Sequence, residues 1–109
     1  MSTVAERVAR GAALLDEKVP GWAERISLGE LDLSSCTFCV LGQLFAVDAF
    51  VEPDWDSGYD LGRRVLDLED DDDLHGFDRY YVEPWSELNA EWRRVITERR
   101  TRVLAGATT

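Results

Sequence analysis

The chain is poor in the residues that build metal and redox centres: 109 residues hold one histidine, one methionine and two cysteines. With a single histidine, His75, neither a site of two cysteines and two histidines within one chain nor the histidine pair of a metalloprotease can form. With only Cys36 and Cys39, three positions apart, a secreted scaffold stapled by several disulfides is excluded. No apolar run approaches the roughly 18 to 20 residues that span a bilayer. The start Met1 to Arg7 has no basic stretch leading into an apolar one, so a cytoplasmic location is expected. A phosphate loop, a Rossmann glycine pattern and a Gly-x-Ser-x-Gly elbow are also missing, which removes the common signatures of an enzyme. Positive charge is scarce as well. Twelve Lys and Arg stand against 22 Asp and Glu, and a net charge of −10 disfavours direct binding to nucleic acid or to an anionic membrane.

What is present reads as one helical domain over residues 1–109. Hydrophobic residues make up 45% of the chain and charged ones 31%, the mixture of a folded globular protein. Val4, Val8, Ala12 and Leu15 recur at helical spacing, with Glu6, Arg7, Arg10 and Glu17 mostly on other faces. This predicts a first helix over Thr3 to Lys18, capped by Ser2 or Thr3 and ended by Pro20-Gly21. Trp22 to Leu33 fits one helical turn followed by an extended link. Ser34-Ser35 then reads as the cap of a helix over Cys36 to Val47, so apolar on all sides that it should be the central, buried one. Val51 to Ser57 reads as a loop and Tyr59 to Leu68 as a short third helix, stopped by Glu69 to Asp73. A second loop through Tyr80 leads to a long last helix from Pro84 or Trp85 to about Ala105, ended by Gly106 and packed across the central one. The expected fold class is all-α: a small bundle of about four helices with a central buried helix and irregular acidic loops.

Charge is unevenly spread along this framework. Residues 48–91 carry fifteen acidic and three basic side chains, whereas residues 92–109 carry five arginines and one acid. The acidic middle offers carboxylates that would meet a basic surface, in its sharper form by imitating DNA phosphates in a nucleic-acid-binding cleft. The residues expected at such a partner surface are Asp54, Asp56, Asp60, Asp70, Asp71, Asp72 and Asp73, with Trp55 and Tyr80 as aromatic anchors. A calcium loop is a poor match over Asp54 to Val65, because Gly58 falls fifth and Val65 twelfth where a sixth glycine and a twelfth glutamate are needed.

Cys36-Thr37-Phe38-Cys39 is the other feature with chemical content. A thiol at a helix N-terminus forms thiolate more readily, yet no buried parallel strand precedes the pair as in thioredoxin-like proteins. Buried structural thiols without a cofactor are the expectation. The alternative is a metal or thiol-redox protein centred on this pair, a metal being held by Cys36 and Cys39 and completed by His75 with one carboxylate or by the same pair from a second copy in a homodimer. A third reading is a nucleotide-type ligand, stacked on an aromatic ring with Arg63, Arg64 or the C-terminal arginines meeting its phosphate.

The stretch Gly11 to Glu17, Pro20-Gly21-Trp22, and Leu31-Asp32-Leu33-Ser34-Ser35-Cys36-Thr37-Phe38-Cys39-Val40-Leu41-Gly42-Gln43-Leu44-Phe45 resembles a group of small accessory proteins of actinobacterial phages and their hosts. His75-Gly76-Phe77-Asp78 and Trp92 to Ile96 resemble the same group. The resemblance implies a phage or prophage accessory protein that binds and modulates a host or defence protein rather than an enzyme, and it implies no site residues.

Overall fold

A computed structural model describes residues 3–35, 38–45, 58–68, 75–78 and 84–107. The described residues form helices and connecting turns, with no strand among them: α1 over Val4–Lys18, a single 3-10 turn over Trp22–Arg25, α2 over Val40–Leu44, α3 over Gly58–Val65 and α4 over Trp85–Ala107. The chain is all-α, as expected.

Local chemistry explains the ends of α1. The Thr3 hydroxyl accepts from the Glu6 amide at 3.1 Å, satisfying one of the donors that a first turn leaves without a partner. After Lys18 the chain turns through Gly21, whose φ of +81° is the left-handed conformation that glycine adopts without strain. The face Val8, Ala12 and Leu15 is fully buried. Arg7, expected on an outer face, is instead 4% exposed. It lies one turn before Gly11, on the side of α1 that the loop His75 to Phe77 covers.

The central helix differs most from expectation. It begins at Val40, not Cys36, and its cap is Cys39, not Ser34 or Ser35. Ser35 does start a turn, since its hydroxyl accepts from the Phe38 amide and its carbonyl from the Cys39 amide. Cys39 then takes an extended backbone, φ −72° and ψ 175°, and its Sγ accepts from the Gly42 amide at 3.2 Å. The serine cap therefore serves one turn, and the helix proper restarts on a sulfur acceptor. Burial of α2 is as expected, with Val40, Leu41, Gly42 and Leu44 all inside.

α3 packs along α2 through Gly62, where an added Cβ would stand 2.8 Å from the Phe45 ring and 3.0 Å from Leu41. The helix ends ahead of the acidic run. Asp67 adopts the left-handed conformation at φ 56°, with its amide bonded to the Arg64 carbonyl and the Leu68 amide to that of Arg63. This paired return closes the free carbonyls of a helix end, and buried Leu68 fixes it to the core.

α4 runs 23 residues and passes through Gly106 without ending there. Its main neighbours are α1 and the 3-10 turn rather than α2, so the arrangement expected from the sequence is corrected: α2 pairs with α3, and α4 with α1. The two pairs share one buried cluster. At its centre Trp92 is stacked on Phe77 at 5.3 Å and meets the edge of Trp22 at 5.8 Å.

Candidate functional site

The residues expected to bind a partner divide into those the structure places and those it does not describe. Asp54, Trp55, Asp56, Asp70, Asp71, Asp72, Asp73 and Tyr80 lie outside the described residues, as does Cys36. Asp60 sits in the first turn of α3. The structure does describe what flanks the acidic run. Leu68 before it and Gly76 and Phe77 after it are buried, and Gly76 packs with its missing Cβ 2.9 Å from the Val8 backbone.

Cys39 is 1% exposed, and its sulfur caps α2. Among the described residues no group of three or more His, Cys, Asp or Glu side chains is placed to hold a metal. No helix among them is long and apolar enough to cross a membrane.

The arginines of α4 are directed at the protein itself. Arg93 donates to the carbonyls of Leu28 at 2.7 Å and Leu31 at 3.1 Å, and Arg100 to those of Ala23 at 2.9 Å and of Ile26. Arg99 makes a two-pronged pair with Asp16, at 3.1 and 2.8 Å. Arg94 pairs with Glu91 and Glu98, and Arg102 with Glu98. A guanidinium presents several donors in a fixed fork, which suits pairs of carbonyls in a short 3-10 turn and the irregular link after it, where regular helix or sheet does not satisfy them. The same segment is gripped from α2. Gln43 accepts from the Ser27 amide at 2.6 Å and donates to the Ser27 and Phe38 carbonyls, and Asn89 of α4 accepts from the Leu33 amide at 2.7 Å. The role expected of the C-terminal arginines as phosphate ligands therefore competes with these internal bonds.

Where α1, the 3-10 turn and α4 meet, an open cleft of about 250 Å3 is lined by Asp16, Gly21, Trp22, Glu24, Arg99 and Arg102. Sequence reading misses it, because Asp16 and Arg99 stand 83 residues apart and each looks like an ordinary surface charge. The Arg99 guanidinium holds the Asp16 carboxyl below the usual carboxylate range; partial burial works against this, and the Trp22 indole N–H, 2.8 Å away, assists it. Asp16 is thus a carboxylate acceptor rather than a proton donor. The Trp22 ring is 1% exposed, so the cleft offers no free aromatic face for stacking a base. Its volume is also below the roughly 300 Å3 at which small-molecule pockets usually begin. On the turn after it, Asp32 is likewise lowered, by the Ser34 hydroxyl and then the Ser34 amide.

No protein family, curated protein or solved structure matches the chain.

Proposed function

We propose that the protein is a non-enzymatic binding protein, a phage or prophage accessory protein that modulates a host or defence protein through its acidic middle. The observation that carries this reading is the concentration of fifteen acidic against three basic side chains in residues 48–91. Two features of the structure support it. The arginines of α4 are engaged with residues 16 to 31 and with Glu91 and Glu98, and the described residues on either side of the acidic run, Leu68, Gly76 and Phe77, are buried.

Capture from lysate of the candidate host, followed by association kinetics on the captured protein, tests the reading. Replacing Asp70, Asp71, Asp72 and Asp73 by asparagine should slow association more than it speeds dissociation, and added salt should mimic the change. Trp55→Ala should chiefly speed dissociation. Unchanged kinetics for the asparagine variant at every salt concentration would overturn the acidic-face mechanism.

A further inference from the structure

We draw no further inference here: the strongest candidate, the open cleft between α1, the 3-10 turn and α4, has Asp16 already paired with Arg99 and Trp22 and Arg102 with Glu98, adds only the exposed carboxylate of Glu24, and keeps the Trp22 ring buried, so nothing in it points to a class of ligand.

Discussion

The indole N–H of Trp92 donates to the carbonyl oxygen of Gly76 at 2.6 Å, a buried bond between α4 and the segment His75 to Phe77, which also touches α1. A buried carbonyl left without a donor costs about 1–3 kcal/mol, so this bond makes the loop part of the core. Phe77 follows it into the stack with Trp92. The loop also rests on Gly11, where the absence of a side chain lets the His75 carbonyl approach the helix.

Gly11→Ala should therefore be disruptive although alanine is the better helix former. The added methyl would overlap the His75 carbonyl oxygen, a main-chain atom that cannot swing aside, and would lie 3.1 Å from the Trp92 ring. A loss of about 1–3 kcal/mol is expected from such overpacking, read as a lower urea midpoint. Gly29→Ala, where a Cβ meets open space, is the control. Equal midpoints for the two variants would show that the loop does not rest on α1.

Arg100→Lys should weaken the hold on the 3-10 turn. One ammonium replaces a fork that reaches both Ala23 and Ile26, so about one hydrogen bond from a charged donor, roughly 1.5–3 kcal/mol, is expected to be lost. Because the acceptors are neutral carbonyls, the loss should persist at about 1 M salt, where charge pairs are screened. Arg94→Lys, on the solvent side of α4, should leave the midpoint unchanged. A salt-dependent loss in Arg100→Lys would contradict the carbonyl assignment.

Cys39→Ser should be tolerated better than Cys39→Val. Serine in an apolar interior normally leaves a hydroxyl without a partner, but here the Gly42 amide supplies one, and serine is a preferred cap. Valine keeps the apolar bulk and removes the acceptor, which should cost about 0.5–2 kcal/mol relative to serine. Thermal unfolding of the two variants under reducing conditions decides the order. The reverse ranking would show that the sulfur acts through packing rather than capping.

Asp16 should give the protein an acid-sensitive increment of stability. Its pKa is lower folded than unfolded, so the contribution is fully present above the unfolded value of about 4 and disappears as pH falls through the lowered folded value. The side chain is 49% exposed, which limits the increment to the roughly 0.2–1 kcal/mol of an exposed pair. Asp16→Asn should be less stable than the parent at neutral pH and converge with it in acid. A constant difference across that range would remove the ion pair as the cause.

Legibility in the sequence follows the physics of each element. α1 and the start of α4 are readable because period, cap and breaker agree: Val8, Ala12 and Leu15 on one face, Thr3 before, Gly21 after. The start of α2 is not, since an apolar run carries no period and a cysteine does not announce itself as a cap. The end of α3 is set by Asp67 turning left-handed, a choice that the neighbouring acids conceal. Gly106 fails to stop α4 because glycine inside a helix costs only about 1 kcal/mol. The arginine forks are hidden for another reason: their acceptors are main-chain carbonyls at 23 to 31, which leave no mark in side-chain identity. Of the acidic middle the sequence shows composition and order, and of the acids singled out there only Asp60 lies among the described residues.

The pairing of α1 with α4 has a consequence for synthesis in the cell. Val8, Ala12 and Leu15 are translated early, yet the helix that covers them includes Arg99, 83 residues beyond its partner Asp16. A ribosome releases on the order of 5–20 residues per second, so the apolar stripe of the nascent chain waits several seconds for its cover. Closing so long a loop adds to the barrier as well, since distant contacts must form before they contribute stability. During that interval the stripe stays uncovered, and the arrival of α4 sets when it is buried.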